Sequence, residues 1–256
     1  MIGAIAGDVI GSAYEHRPIK TTEFPLLSPR SRFTDDTVLT VATAHAILAG
    51  TSYGDAYRDF GRRYRDAGYG GAFRGWLDAA SPAPYNSWGN GSAMRVSPVG
   101  RAFDSVDRVL AEAEWSAAVT HDHPEGVKGA RAVALAVLFA RRGASKAAIR
   151  EEVTRHSGYD LGRTVEEIRR GYRFDVSCQG SVPEAIIAFL DARDVEDAIR
   201  LAVSLGGDAD TQASIAGAIA HAFYKEVPQE IEAGVRGRLP ADLLEVVDEF
   251  ECRFPL

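Results

Sequence analysis

Cysteine is scarce in this sequence of 256 residues, and the two that occur, Cys178 and Cys252, lie far apart. Two isolated cysteines match neither the spacing of a zinc site nor a disulfide framework. A reducing compartment is the simpler interpretation, so we expect a cytoplasmic protein. Long hydrophobic runs are also missing, since the longest, residues 132–140, is too short to span a bilayer. The apolar N-terminus lacks a basic segment and contains Asp8, so we expect neither a signal peptide nor a membrane anchor.

An excess of positive charge is absent. The net charge is −7, whereas proteins that bind the nucleic-acid backbone usually carry a basic face. Nucleic acid is therefore not the expected partner. Apolar residues make up 46% and charged residues 25% of the chain, which is ordinary for a folded domain.

Several common sequence patterns are missing. No Walker A or GxGxxG motif is present, which excludes the usual nucleotide-binding folds. No run of alternating β-branched residues indicates a strand, and no repeat or Pro/Ser/Gly linker divides the chain. The two longest loop candidates are residues 68–75 and 82–91.

Apolar residues at helical spacing fill most of the chain instead. Residues 38–49 are apolar on most faces and predict a buried helix, and Ser105 is placed to cap another. Prolines are predicted to lie in the first turns of later helices: Pro124, Pro183, Pro228 and Pro240. We expect one all-α domain over residues 1–256, with functional side chains at loops and helix starts.

Two acidic clusters stand directly before apolar helices: Thr34-Asp35-Asp36 and Asp208-Ala209-Asp210-Thr211. A single Asp at such a position usually caps the helix and interacts with its dipole. A second carboxylate adds repulsion with little local gain. If the two clusters met, they would form the oxygen-rich site that Mg²⁺ or Mn²⁺ prefers. The residues by themselves leave capping and metal binding equally open.

The first segment repeats glycine at every fourth position, at Gly3, Gly7 and Gly11. A glycine inside a helix costs about 1 kcal/mol relative to alanine, so three on one face indicate a close approach to a neighbouring helix. Asp8 and Glu15 are seven residues apart and are predicted to share a face of this helix. Taken singly, Asp8 fits a cap or a surface charge, and Glu15 fits a solvated carboxylate.

Two further segments carry polar groups suited to a ligand. The loop around Asn90-Gly91-Ser92 exposes backbone N–H groups that suit phosphate or ribose, although it also fits a simple turn. The stretch Thr120-His121-Asp122-His123 precedes a helix. We predict a ligand-binding role for His121, a cap at Asp122 and no functional role for His123.

Five blocks, taken together and in order, resemble the ADP-ribosylglycohydrolase family. They are Gly7-Asp8 with Gly11 and Glu15; Phe33-Thr34-Asp35-Asp36-Thr37; Gly89-Asn90-Gly91-Ser92-Ala93-Met94-Arg95; Thr120-His121; and Gly206-Gly207-Asp208-Ala209-Asp210-Thr211. One such block would be weak, but five in family order cover most of the chain. This family includes the dinitrogenase reductase-activating glycohydrolase and the hydrolases of ADP-ribosylserine and ADP-ribosylarginine.

The resemblance implies a compact multi-helix domain with an orthogonally packed core that holds two Mg²⁺ or Mn²⁺ ions. The implied metal ligands are Thr34, Asp35, Asp36, Asp208, Asp210 and Thr211. Glu15, Asp35 and Asp36 are the implied catalytic carboxylates. The implied substrate-binding residues are Gly89, Asn90, Gly91, Ser92, His121, Gly180 and Ser181, with Tyr172 or Phe174 stacking on adenine.

The implied activity is hydrolysis at the anomeric carbon of an ADP-ribosyl group. The acceptor is an ADP-ribosylated protein side chain or a small ADP-ribose conjugate, and we expect a monomer. Two alternatives stay open at this point: a dimetal phosphohydrolase acting on nucleotides, and a non-catalytic regulator that binds ADP-ribose. The acceptor linkage and the choice between Mg²⁺ and Mn²⁺ do not follow from the resemblance.

Overall fold

Helices account for the regular structure of this protein in a computed structural model that describes residues 1–256. Their bounds are α1 Ile2–Gly11, α2 Asp35–Ala49, α3 Tyr53–Arg63, α4 Gly71–Asp78, α5 Gly91–Met94, α6 Ser97–Ala102, α7 Val106–Ala118, α8 Pro124–Arg141, α9 Lys146–Ser157, α10 Val165–Arg169, α11 Cys178–Asp191, α12 Val195–Val203, α13 Ala209–Tyr224, α14 Gln229–Arg236 and α15 Ala241–Arg253. The only β-type pairing is an isolated antiparallel bridge between Gly89 and Ser177. The all-α prediction is confirmed.

The hydrophobic core is one continuous cluster of 75 buried apolar residues. Helices α8, α11 and α13 lie at its centre and are buried along most of their length. This is why their apolar residues show little one-sided periodicity: a helix surrounded by neighbours needs no polar face. None of the fifteen helices is both long and apolar enough to cross a membrane.

Helices α1 and α13 pack antiparallel with their backbones in contact. A Cβ atom on Gly3 would lie 2.3 Å from the carbonyl oxygen of Gly217, and one on Gly7 would lie 2.0 Å from that of Ala213. At the other end, a Cβ on Gly11 would lie 2.4 Å from the oxygen of Ala209. The predicted close approach of the glycine face is therefore confirmed, and it places the end of α1 beside the start of α13.

Several helix starts agree with the sequence. Helix α2 begins at Asp35, and the hydroxyl of Ser105 caps α7 by accepting the N–H of Arg108 at 3.2 Å. Helices α8, α14 and α15 start at or directly after Pro124, Pro228 and Pro240.

Three expectations about local structure are wrong. Pro183 lies inside α11, which Ser177 caps five residues before the position that we predicted; the ring costs only the bond to the carbonyl of the exposed residue 179. Residues 71–78 form helix α4 rather than a loop. Glu15 does not lie on α1, because that helix ends at Gly11 and the chain continues in tight turns toward Pro18.

The glycine contact gives a stability prediction. The Gly7→Ala variant forces a methyl group against the backbone of α13, which cannot move without displacing the core, so the free energy of unfolding should fall by about 3 kcal/mol or more. Gly75→Ala is the matched control, because Gly75 is exposed in α4 with no atom within 4 Å of a Cβ. That variant should gain up to about 1 kcal/mol. Urea denaturation followed by circular dichroism measures both, and equal stability of Gly7→Ala and wild type would contradict this packing.

Candidate functional site

The starts of α2 and α13 meet at the C-terminal end of α1. The hydroxyl of Thr211 lies 3.3 Å from Oδ2 of Asp36, although the two residues are 175 positions apart. Thr34, Asp36, Asp208, Asp210 and Thr211 are all at most 5% exposed. The two acidic clusters therefore come together as the sequence suggested.

Asp8 anchors the first turn of α2. Its carboxylate accepts the N–H and the hydroxyl of Thr34 at 2.8 and 2.7 Å, the N–H of Thr37 at 3.1 Å, and the hydroxyl of Thr37. Three of these donors bind Oδ2 and one binds Oδ1, so both oxygens accept hydrogen bonds and Oδ2 is fully occupied. Asp8 lies close enough to Asp36 and Asp210 to share an ion with them, but its oxygens are engaged. We therefore assign it a positioning role, which the sequence alone did not reveal.

The carboxylates that lie close enough to share a metal ion form two overlapping groups. Carboxylate oxygens of Asp8, Asp36 and Asp210 lie within 4.8 Å of one another, and so do those of Glu15, Asp208 and Asp210. Asp210 belongs to both groups and lies between them. Asp35 is in neither group; it is partly buried and lines the adjoining cavity.

Burial raises the pKa of each of these aspartates. The pKa of Asp35 is raised from 3.8 to about 7, first by desolvation and then by the negative charges of Asp8, Asp208 and Glu15. Burial, followed by the neighbouring carboxylates, raises the pKa values of Asp36 and Asp210 well above their usual range. Burial also raises the pKa of Asp208, against hydrogen bonds from Asp210 and Asn90 that lower it. No lysine or arginine forms an ion pair with any of these aspartates.

This donor set fits divalent cations. Oδ1 of Asp36 is buried without any hydrogen-bond partner, which is costly unless a cation or another donor binds it. The hydroxyl of Thr34 donates its proton to Asp8 and accepts the N–H of Asp36 at 3.3 Å, so one lone pair of its oxygen remains available. The hydroxyl of Thr211 is oriented in the same way toward Asp36. Buried carboxylates and hydroxyls without a basic partner are the hard oxygen ligands that Mg²⁺ and Mn²⁺ prefer.

A cavity of about 370 Å³ extends from the acidic cluster. Its opposite wall is the predicted loop, since Gly89, Asn90, Gly91 and His121 all line it. Asn90 joins the two walls, because its side-chain amide donates to Oδ2 of Asp208 at 2.7 Å. The bridge at Gly89 and the bond from the N–H of Asn90 to the oxygen of Val176 (2.8 Å) hold this loop against residues 176–178. The cavity thus has a carboxylate end and an end that carries amide and imidazole groups.

Three residues predicted to bind substrate do not line the cavity. Ser92 is fully buried and its hydroxyl donates to the carbonyl of Gly126 at 2.7 Å. Ser181 accepts from the amide of Asn90 at 3.2 Å, and the carbonyl of Gly180 accepts from the hydroxyl of Tyr172 at 2.6 Å. All three lie behind the loop and support it.

The histidine segment also differs from the prediction. His123, not Asp122, caps helix α8: its Nδ1 accepts the N–H of Glu125 at 3.1 Å. Asp122 instead accepts the N–H of Asn86 at 2.7 Å and so fixes the preceding loop. A histidine side chain can cap a helix when its Nδ1 is unprotonated, because the nitrogen lone pair then accepts a backbone N–H.

Arg95 and Thr120 set the orientation of the His121 ring. The guanidinium of Arg95 is fully buried over the ring of Tyr57 and donates to the hydroxyl of Thr120 at 2.9 Å. Arginine can only donate, so the Thr120 oxygen accepts there and its proton is directed to Nδ1 of His121, at 2.7 Å. The ring proton is then on Nε2, which faces the loop: a Cβ on Gly91 would lie 3.0 Å from it.

Other residues that line the cavity were missed. The start of α4 and the residues directly before it contribute Gly68, Gly70, Gly71 and Phe73, although we predicted a loop without a function there. A glycine-rich segment before a helix is a possible signal, but it does not show which cavity the segment will face. Tyr85, Ser87, Phe174 and Val176 also line the cavity, and among these only Phe174 had been considered for the site.

The raised pKa values predict how stability depends on pH. Since Asp35 titrates near 3.8 when unfolded and about 7 when folded, the folded state binds more protons between these values. In protein freed of divalent cations, this contribution is present below about pH 4 and is lost as the pH rises through about 7. Asp35→Asn removes the charge, so at about pH 8 it should stabilise the cation-free protein by about 1–3 kcal/mol, allowing for its partial exposure.

Thermal and urea unfolding with a chelator measure this effect. Asp107→Asn is the control, because Asp107 is exposed and makes no side-chain hydrogen bond; it lies in the first turn of α7, so losing its charge should destabilise by at most about 1 kcal/mol, opposite in sign to the effect expected for Asp35→Asn. Added Mg²⁺ or Mn²⁺ should stabilise wild type more than Asp35→Asn. If Asp35→Asn is less stable than wild type at alkaline pH without divalent cations, repulsion among these carboxylates does not destabilise the folded state.

The tautomer of His121 can be measured directly. Burial and the charge of Arg95 hold the pKa of His121 well below 6.5, so the ring should stay neutral at about pH 6 with its proton on Nε2. Nitrogen NMR of histidine-labelled protein distinguishes the tautomers. Thr120→Ser should keep the wild-type spectrum, whereas Thr120→Val should shift the Nδ1 resonance, because it removes the hydroxyl that donates to this nitrogen. A dominant Nδ1–H form in wild type would mean that Thr120 gives its proton to Tyr85, which also interacts with it.

Known proteins resemble this chain along nearly its full length. Bovine and human ADP-ribosylhydrolase ARH3 are each 29% identical to it over 95% of the chain and cover 89% and 90% of their own lengths. A solved structure titled as an ADP-ribosylglycohydrolase-related protein complex aligns with 98% of the chain and 94% of its own, at 28% identity and a TM-score of 0.71. The family model for ADP-ribosylglycohydrolase matches residues 1–254. The chain belongs to the ADP-ribosylglycohydrolase family.

Proposed function

We propose that this protein is a metal-dependent hydrolase that releases ADP-ribose from an ADP-ribosylated acceptor. The observation that carries the proposal is the cavity, because one end holds buried carboxylates and the other holds an exposed-backbone loop and a neutral imidazole. Cis-hydroxyls of a ribose suit the first end, and phosphate oxygens suit the second. Family membership and the names of the relatives support the same activity.

In this proposal the diphosphate lies along the loop. The N–H groups of Gly89 and Asn90 donate to Ser87 and Val176, so the N–H of Gly91 is the free backbone donor of this segment, and the absence of a side chain there lets an anion approach it. Nε2–H of His121 points to the same loop and adds a donor. The adenine would lie at this end, near the ring of Tyr85, which lines the cavity and whose centroid is 5.8 Å from that of the His121 ring.

The distal ribose lies at the carboxylate end. We propose that the metal-binding residues are Thr34, Asp35, Asp36, Asp208, Asp210 and Thr211. Two Mg²⁺ or Mn²⁺ ions bound there would supply Lewis acidity toward the ribose hydroxyls and a water molecule. Asp8 holds the start of α2 in place, and Asn90 holds Asp208, so that the oxygens stay aligned.

Proton transfer falls to Glu15, Asp35 or Asp36. Glu15 stands at the cavity mouth with a side chain that is 23% exposed, so it can exchange protons with solvent. Asp35 lines the cavity beside the acidic cluster, which places its carboxylate where it can exchange a proton with a bound water. The concentration of negative charge around the sugar also stabilises an oxocarbenium-like transition state.

A panel of defined conjugates tests the activity and identifies the acceptor. ADP-ribosyl-serine, ADP-ribosyl-arginine and O-acetyl-ADP-ribose are incubated with the protein and Mg²⁺ or Mn²⁺, and free ADP-ribose is measured. We expect metal-dependent release from at least one conjugate. Asp36→Asn and Asp208→Asn should each lower kcat/KM by about 100-fold or more, since each removes a ligand from a site that contributes several kcal/mol.

Asp107→Asn serves again as the control, since it removes a carboxylate remote from the cavity and should retain wild-type kcat/KM. Two outcomes would replace the proposal. Phosphate release from nucleotides without ADP-ribose release would indicate a dimetal phosphohydrolase, and tight ADP-ribose binding without turnover would indicate a regulator. Equal release by wild type and the two site variants would refute the metal-site assignment.

A further inference from the structure

A second depression adjoins the cavity on the far side of Glu15. This outer hollow has a volume of about 600 Å³ and is lined by Glu15, His16, Pro18, Lys20, Tyr172, Arg173, Phe174 and Gly206. It shares Glu15 and Phe174 with the carboxylate cavity, so these two side chains form the rim between the two spaces. A substrate that reacts beside Glu15 would have one part on each side of this rim.

The walls of the outer hollow are fixed in place. The ammonium of Lys20 donates to the carbonyl oxygens of Tyr172, at 2.6 Å, and of Leu205, and so ties the segment after α1 to the two opposite segments. Gly206 has a φ of +65°, and a Cβ there would lie 2.9 Å from the carbonyl oxygen of Ile19. The loops that line the hollow are therefore held to one another by hydrogen bonds and by a close backbone contact.

Positive charge dominates the outer hollow, in contrast to the cavity next to it. Lys20 and Arg173 form no ion pair with any carboxylate, and Arg173 also makes no side-chain hydrogen bond within the protein. The side chain of His16 is 80% exposed. Glu15 is the only carboxylate among the lining residues. This local basic surface occurs in a chain whose net charge is −7.

We infer that the outer hollow receives the acceptor side of the substrate, and that the acceptor it fits is a protein segment with acidic side chains next to the ADP-ribosylated residue. This inference rests on the proposed function. The ADP-ribosyl group fills the carboxylate cavity, and the scissile bond lies at the rim beside Glu15. The acceptor chain continues into the outer hollow, past Lys20 and Arg173. Arg173 is the specificity residue, because its guanidinium is exposed and free to bind a carboxylate in two-point fashion.

A peptide suits this surface better than a nucleic acid. The phosphate backbone requires an extended basic surface, but the next cations along the chain, Arg169 and Arg170, are both paired with Glu166, at 3.0 and 3.5 Å. Arg173 is unpaired, and Lys20 donates to backbone carbonyls, so together they can bind one or two carboxylates. The hollow also offers the apolar faces of Pro18 and Phe174, which suit side chains of a peptide.

The test compares peptides that differ only in flanking charge. Each carries one ADP-ribosyl group, in the linkage that the protein cleaves, flanked by two glutamates, two glutamines or two lysines. A small conjugate without a peptide is the reference. We expect kcat/KM to be about three- to fivefold higher with glutamate than with glutamine, lower again with lysine, and the difference to shrink as salt is raised.

Arg173→Glu should reverse this order, and Arg173→Gln should bring the glutamate-to-glutamine ratio to about one. Arg170→Glu is the matched control: it makes the same charge change on a side chain that is 80% exposed and outside the hollow, and it should retain the wild-type ratio. Because ratios between substrates are compared within each variant, a general loss of activity does not imitate the effect.

Failure of this inference is distinguishable from failure of the proposed function. Cleavage of the small conjugate without discrimination among the three peptides, or an unchanged ratio in Arg173→Glu, overturns the acceptor assignment alone. Faster cleavage of ADP-ribose from the terminal phosphate of an oligonucleotide, with the same dependence on Arg173, would overturn it in favour of nucleic acid. No ADP-ribose release from any conjugate overturns the proposed function and this inference with it.

Discussion

The contact between the backbones of α1 and α13 is the constraint on which the site depends. Gly3, Gly7 and Gly11 remove every side chain from one face of α1, so the two helices approach until main-chain atoms touch. Their antiparallel arrangement brings Gly11 against Ala209, and therefore the last turn of α1 against the first turn of α13. Asp8, one turn earlier, then reaches the start of α2. One close packing contact thus places three helix ends at a single point, and the acidic residues of the candidate site lie at those ends.

The same arrangement explains how the fold tolerates so much buried negative charge. Buried carboxylates are costly unless hydrogen bonds or cations compensate them. Asp8 is compensated within the protein, by four donors from Thr34 and Thr37. Asp36 is not, since one of its oxygens has no partner. The contrast separates a carboxylate that organises the site from one that has an oxygen left free for a ligand.

Much of the fold was predictable because its signals are local. Helix starts at Asp35, Ser105, Pro124 and Pro240 depend on capping groups and on proline geometry within a few residues. The glycine spacing also indicated a close neighbour, although not which one. The helix start predicted at Pro183 was wrong, because a proline in the second turn of a helix is tolerated where the freed carbonyl is exposed. Glu15 was placed on α1 by periodicity, yet the helix ends four residues earlier in a series of turns.

The candidate site was predictable in its residue types and only partly in its geometry. Composition left the acidic clusters open between caps and ligands, and the meeting of Asp36 with Thr211 depends on packing that no local pattern contains. The same holds for Arg95, whose effect on His121 passes through the hydroxyl of Thr120. The resulting cavity has acids at one end and amide and imidazole donors at the other. A ligand with vicinal hydroxyls at one end and an anionic group at the other is thereby accepted in one orientation only, because the reverse would place its negative charge against buried carboxylates.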